Sequence, residues 1–351
     1  MAPEGVDLVI VTPSADLQYL AQLGTHTSER PTMLAIPSEG KAVLVVPRFE
    51  APLAAHLDEV TLVTYQETEN PYALLADNLN LEASGPHIAI SDRAWAAFLL
   101  RLQETFPDAR FRAASPLLAR LRMIKSPEEL DLLERAGAMV DAAFARIVRT
   151  PFAGRSERQV AATLAGFLEE QGLDTADWGP IVASGPNAAS PHHLTGGREI
   201  REGDAVVLDF GGSLNGYQAD TTRTVHVGEA DEEFRTVYDA VRRALEAGVE
   251  AARMGAAAED VDRATRSTIE ASGFGPHFLH RTGHGIGLDV HEEPYIVAGN
   301  RLILEPGMTF SVEPGIYLEG RYGVRVEDIV QVTDGAARRF NNSNHDLEVV
   351  A

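Results

Sequence analysis

The sequence predicts an α/β protein in two parts, a small α/β domain followed by a larger α+β domain. Three observations carry this prediction. The chain has 351 residues, more than the roughly 100–200 of a common domain. Residues 1 to about 115 alternate short β-rich runs with helical stretches, the pattern of a small α/β unit. The remainder uses one arrangement twice, two helices and then a hairpin, which reads as a weak internal duplication. We place the first domain at 1–120 and the second at 121–351.

Taken in order, Leu8 to Val11, Thr32 to Ile36, Ala42 to Val46 and His87 to Ile90 read as buried strands. Ser14 to Leu23 and Phe49 to Leu57 read as helices between them. The boundary falls near 113–125, and beyond it Ser126-Pro127-Glu128-Glu129 is a strong helix start. Serine caps, proline suits the first helical position, and Glu129 closes a capping box. Apolar residues at helical spacing, Leu130 to Ile147, follow. Ser156-Glu157-Arg158-Gln159 opens a second helix that stops near Gly172. A hairpin at about 205–227, helices at 231–253 and 258–271, and a hairpin at about 309–332 complete the pattern.

Composition narrows the function. Acids outnumber bases 52 to 30, for a net charge of −22. That balance opposes nucleic-acid partners, which need a basic face, and basic patches for membrane surfaces. There is no cysteine, so disulfides, thiolate nucleophiles and cysteine-ligated metals are excluded. Any metal must be held by His, Asp and Glu. No export signal or membrane-length apolar run is visible, and the expected location is the cytoplasm.

The informative residues are acids in apolar hairpins. Asp209 interrupts Ala205-Val206-Val207-Leu208, and the chain turns at Asn215-Gly216, a dipeptide favoured in tight hairpins. The return strand then sets Asp209 opposite Thr222, with Asp220 as its diagonal neighbour on one face. A bulge at Gly211-Gly212 is an alternative that shifts this register. In the second hairpin Glu313 falls nearly opposite Glu327, and Arg325 shares the strand face of Glu327. Between the hairpins, His284 is flanked by Gly283 and Gly285, which lets backbone approach closely. Carboxylates on one buried face repel and require a proton, an arginine or a metal. Four carboxylates and one imidazole suit two divalent ions, manganese or cobalt by their oxygen-rich ligands, with zinc open.

The pattern LDFGG, YQADTTRT, TGHGIGLDVHEEP, SVEPGIY and GVRVEDIV resembles the pita-bread metallopeptidases. These comprise prolidases, aminopeptidases P and methionine aminopeptidases, with the metal-free creatinases as relatives. The likeness is strong over about 120–350 and looser before it, where it implies a creatinase-like α/β domain. It implies that Asp209 binds one ion, Asp220 and Glu327 bridge, and His284 and Glu313 complete the second site. It also implies catalytic roles for His192 and His291, a substrate-side role for His280, and Arg325 as a brace of the metal carboxylates. His193 reads as a surface histidine.

The reaction so implied is hydrolysis of an Xaa-Pro bond by a hydroxide between two ions about 3.5–4 Å apart, with Glu313 carrying the proton. The folded first domain favours the Xaa-Pro branch over methionine aminopeptidases. The resemblance is nearest to bacterial or archaeal Xaa-Pro dipeptidases. Prolidases of this size often carry an arginine where Tyr295 stands here. The cation for the dipeptide's carboxylate is therefore sought at Arg48, at the end of a first-domain strand, with Tyr295 kept as a substrate-side residue. The alternatives are an aminopeptidase P acting on longer peptides and, from another class, a non-catalytic scaffold of the same fold. A homodimer is the expected assembly.

Overall fold

A computed structural model of the chain describes residues 5–81, 84–175 and 179–351. It divides into two compact units, Met1–Arg122 and Met123–Ala351. The first holds β1 (Leu8–Val11), α1 (Ala15–Ala21), β2 (Met33–Pro37), β3 (Val43–Pro47), β4 (Thr61–Tyr65), α2 (Pro71–Asp77), β5 (His87–Ile90), α3 (Ala96–Thr105) and β6 (Arg110–Ala113). The six strands form one mixed sheet in the order β4-β3-β2-β1-β5-β6. Side chains alternate across it. Val9, Val11, Leu34 and Leu44 pack with Leu17 and Leu118 on one face. Leu8, Ile10, Met33 and Val43 pack with Leu75 and Leu102 on the other. Both faces are covered, so the strands read as continuous apolar runs rather than as alternation.

Two expectations change here. The segment expected as a helix from Phe49 to Leu57 is a 3-10 helix over Arg48–Ala54 with Pro52 inside it. Proline lacks the N–H that an α-helical ladder needs at that position. The boundary segment is itself helical, as α4 (Ser115–Met123).

The second unit opens with α5 (Pro127–Ile147), whose capping box between Ser126 and Glu129 is formed as expected. It continues with α6 (Glu157–Gln171), β7 (Asp174–Thr175), β8 (Ile181–Ser184), β9 (Ala205–Leu214), β10 (Tyr217–Val227), α7 (Glu232–Ala251) and α8 (Ala258–Ala271). Then come β11 (Gly283–Gly285), β12 (Glu292–Ile296), β13 (Thr309–Val312), β14 (Gly315–Leu318), β15 (Tyr322–Arg325), β16 (Asp328–Gln331), β17 (Arg338–Arg339) and β18 (Glu348–Val350). Val206, Leu208 and Phe210 of β9 pack against Val140 and Phe144 of α5 and Leu164 of α6. By strand alternation, Asp209 faces away from those helices.

The first hairpin keeps the expected register without a shift. Asp209 lies opposite Thr222, and Asp220 opposite Gly211. Gly211 serves close approach rather than a bulge, since a Cβ there would fall 1.9 Å from the Ala219 carbonyl oxygen. The second hairpin keeps its register too, but its strands break. β13 pairs with β16 in one sheet, and β14 with β15 in another. The breaks fall at Glu313-Pro314 and Val326-Glu327, so both acids sit where the ladder is interrupted. Among the described residues, no helix is long and apolar enough to cross a membrane.

Candidate metal centre

Five residues converge from five segments, three strands and two breaks between strands. Ligand atoms of Asp220 on β10, His284 on β11 and Glu327 between β15 and β16 all lie within 4.8 Å of one another. Glu313, between β13 and β14, places Oε1 3.4 Å from His284 Nε2, and Asp220 Oδ2 lies 3.7 Å from the same nitrogen. Asp209, opposite Thr222 on the same face, adds its charge to the group. Burial and then Asp209 and Glu313 hold the Asp220 carboxyl well above its ordinary range. Burial and then Asp220 and Glu313 do the same to Glu327. Glu313 is pushed up to about 7, by burial first, with Arg325 opposing and Asp209 adding.

His284 is held closely by its backbone neighbours. Gly283 and Gly285 are both pressed by backbone, with a Cβ falling 1.8 Å from Ser311 O and 2.3 Å from Glu293 O respectively. The glycine flanks thus serve the close approach expected of them. Nδ1 lies 3.1 Å from the Gly285 carbonyl, an acceptor only, which assigns the proton to Nδ1 and the lone pair to Nε2. Burial, with His291 next, pushes the imidazole down to about 3 and keeps it neutral. That lone pair faces carboxylate oxygens at 3.4 and 3.7 Å, an arrangement that favours a cation between them. Among the described residues, Asp220 Oδ1 and Glu327 Oε1 are buried without a hydrogen-bond donor. Buried carboxylate oxygens are costly when left unmatched. The donor set and these two oxygens fit divalent cations.

The surrounding residues hold the carboxylates in place. Arg325 donates from Nη2 to Asp209 Oδ2 at 2.6 Å, and so reaches across to the first hairpin. Its Nε donates to Thr222 Oγ1 at 3.0 Å, and Thr222 Oγ1 donates to Glu327 Oε2 at 2.7 Å. Ser311 Oγ donates to Glu313 Oε1 at 3.1 Å. Arg325 Nη1 donates to the Tyr317 hydroxyl at 2.9 Å, and that hydroxyl lies 2.8 Å from His280 Nε2. With His280 Nδ1 2.7 Å from the Arg281 carbonyl, Tyr317 is the donor to Nε2. Burial pushes His280 down to about 4. Tyr317, Thr222 and Ser311 lie in the recognised hairpins, but only the fold reveals their contacts.

The remaining candidates separate. His291 is exposed, and its ring stands edge-on to that of His284 with centroids 4.1 Å apart. His192 is exposed, and the Pro191 carbonyl before it accepts from Arg325 Nη1 at 3.3 Å. His193 is not the surface histidine expected. Its Nε2 lies 2.9 Å from Oε2 of Glu157, whose side chain is fully buried. A buried carboxylate needs donors, and the imidazole is one of them. Tyr295 on β12 has the Arg281 guanidinium over its ring at 4.4 Å. A cation therefore stands at the Tyr295 position, one that sequence reasoning missed because its partner is 14 residues away. Arg48 belongs to the first unit, is exposed, and lines a cleft there with Phe49, Tyr65 and Glu67.

Known proteins resemble the chain over nearly its whole length. Residues 131–334 match the model of metallopeptidase family M24, and residues 1–124 match the creatinase/prolidase N-terminal domain. The chain is 42% identical over 355 residues to a probable dipeptidase PepE of Mycobacterium tuberculosis, covering 99% of this chain and 93% of that one. It is 34% identical to the Xaa-Pro dipeptidase of Lactobacillus helveticus, covering 98% and 95%. The crystal structure of a recombinant prolidase from Thermococcus sibiricus superposes with a TM-score of 0.94 at 38% identity, covering 99% and 96%.

Proposed function

The chain belongs to metallopeptidase family M24, and from that premise we propose that it is a metal-dependent Xaa-Pro dipeptidase. The observation that carries this reading is the convergence of four carboxylates and a neutral imidazole around two donorless buried oxygens. Asp209, Asp220, His284, Glu313 and Glu327 would hold two divalent ions. When bound, such ions supply positive charge that acidifies water and polarises a carbonyl.

The chain's own groups do the rest. Burial pushes the Glu313 carboxyl up to about 7, and at the site it takes the proton of the attacking water. It returns that proton to the proline nitrogen, which has no hydrogen of its own and leaves only when protonated. His291 and His192 stand exposed and donate to the developing oxyanion. Arg325 and Thr222 keep Asp209 and Glu327 from turning away. The dipeptide's carboxylate calls for a cation, and two arginines are offered, Arg48 of the first unit and Arg281 against Tyr295. We extend the reading to manganese or cobalt as the metal, a homodimer as the assembly and the cytoplasm as the location.

One hydrolysis panel tests it. Xaa-Pro, Xaa-Pro-Xaa and Met-Xaa peptides are offered to protein reconstituted with manganese, cobalt or zinc. Turnover of Xaa-Pro alone supports the dipeptidase. Turnover of Xaa-Pro-Xaa at a similar rate favours the aminopeptidase, and no turnover in a metal-loaded protein favours the scaffold. Full activity after exhaustive chelation overturns the metal reading. Arg48→Ala and Arg281→Ala in the same panel identify the arginine that imposes the length limit, as the variant that loses it.

A further inference from the structure

Glu157 is the first residue of α6, where an acid ordinarily complements the helix dipole from an exposed position. Here its side chain is fully buried. The helix does not need it as a cap, because Ser156 and Gln159 already form the capping box. Its carboxylate instead accepts five hydrogen bonds from one segment of chain. Oε1 accepts from Ser184 N and Ser184 Oγ at 2.8 Å and from Asn187 Nδ2 at 2.9 Å. Oε2 accepts from His193 Nε2 at 2.9 Å and from Gly196 N at 3.2 Å. A carboxylate offers about four lone-pair sites, so this one is saturated. Burial alone would raise its pKa, but the bonds from Asn187, His193 and Ser184 outweigh it and keep the group below the ordinary carboxylate range.

The segment so fixed carries His192. Ser190 to His193 form a turn closed by His193 N donating to Ser190 O at 3.2 Å. His192 is the third residue of that turn, its side chain is exposed, and among the described residues none hydrogen-bonds its ring. The two residues beside it are held. Arg325, which also holds Asp209, donates to the Pro191 carbonyl, and the His193 ring is seated on Glu157. One flank is thus tied to the metal carboxylates and the other to the start of α6.

We propose that Glu157 and His193 form a positioning pair that presents His192 to the substrate. The proposal rests on the reading of His192 as a catalytic residue. Glu157 touches neither substrate nor reacting atoms and acts through the turn. The second half of the unit contains a similar device. Asp262 of α8 accepts from Thr282 N and Oγ1 and pairs with Arg266, which donates to the Phe278 and His280 carbonyls. Each half therefore spends one buried acid of its second helix on the loop that carries a site histidine.

The test uses the metal-loaded full chain with an Xaa-Pro dipeptide. His192→Ala should lower kcat about 100-fold or more, the usual scale for losing one donor to a developing oxyanion. His193→Ala should lower kcat about tenfold while KM stays within about threefold. Metal content should equal that of wild type in both. His193→Gln should recover most of the loss, since its amide N–H can replace the imidazole donor to Glu157. The double variant His192→Ala with His193→Ala should be no slower than His192→Ala alone, because a positioning residue has nothing left to position. Glu157→Gln should behave as His193→Ala, and if it does not fold the His193 series decides. Wild-type kcat in His193→Ala, or losses that multiply in the double variant, overturns the pair and leaves the reading of His192 intact. Wild-type kcat in His192→Ala overturns that reading, and the pair falls with it.

Discussion

Glu327 and Asp328 are consecutive residues, both almost wholly buried, at 2% and 0% exposure. Their surroundings differ in sign. Glu327 turns towards Asp220 and Glu313, and its carboxyl is held well above the ordinary range. Asp328 meets Arg223 Nη2 at 2.8 Å, Arg339 Nε at 2.8 Å and His345 Nε2 at 2.9 Å. Burial would raise Asp328, but Arg223, His345 and Arg339 outweigh it and the carboxyl is lowered. The desolvation cost is of the same kind at both positions, so the neighbours decide the outcome. On one side of the peptide bond the chain supplies its own cations, and on the other it gathers further carboxylates. Arg223 links the two, since it pairs with Asp328 while donating to the Glu327 carbonyl.

The sharpest way to break this contrast is to remove each charge in turn. Glu327→Ala should lower kcat/KM by about 1,000-fold or more and reduce bound metal, read by turnover and by metal analysis of the purified protein. Asp328→Asn should leave Arg223 and Arg339 without their buried anion. It should cost about 3–5 kcal/mol in denaturant unfolding, with the five candidate ligands untouched. If Asp328→Asn were as stable as wild type, the ionic cluster would not be the self-sufficient side of the comparison.

Titration offers a finer cut. Glu313 is raised from about 4.5 to about 7, so below pH 7 a proton occupies the group that a cation needs. Apparent metal affinity should fall as pH drops from 8 to 6, with proton release on binding that calorimetry in two buffers detects. In the metal-free protein, the contribution of Glu313 to stability is present below about 4.5 and is lost as pH rises through about 7. His280 and His284, lowered to about 4 and about 3, act oppositely, losing their contribution as pH falls below about 6.5. The informative quantity is therefore a difference. Metal-free Glu313→Gln should gain melting temperature relative to metal-free wild type as pH rises from 5 to 8. The smallest effect belongs to an exposed pair. Arg321 and Glu233 are both about half exposed, and Arg321→Ala should leave the melting temperature within about 1 °C of wild type, as is usual for surface ion pairs.

Much of the second unit was legible in the sequence because its signals are local. Asn215-Gly216 marked the turn, both residues adopt positive φ, and the register of Asp209 against Thr222 followed by counting. The same counting set Glu313 opposite Glu327, although the ladder breaks at both. What escaped the sequence depends on distant partners. Glu157 resembled an ordinary first-turn acid, and nothing near it in the chain announced Ser184, Asn187 or His193. Arg281 and Tyr295 meet because β11 and β12 pair. In the first unit β6 reads Arg-Phe-Arg-Ala and is mostly exposed, so no apolar run revealed it. The 3-10 helix at Arg48–Ala54 was misread because its apolar spacing outweighed Pro52.

The two hairpin registers also set limits on how this sequence can change over generations. Side chains alternate faces along β9, β10, β13 and β16, so one residue inserted within a strand turns every ligand beyond it to the opposite face. Deletions do the same. The turn at Asn215-Gly216 and the loop around Gly320 lie outside the ladders, and length there can vary without moving a carboxylate. Descendants of this chain are expected to differ in length at those two tips, and within the four strands by substitution alone.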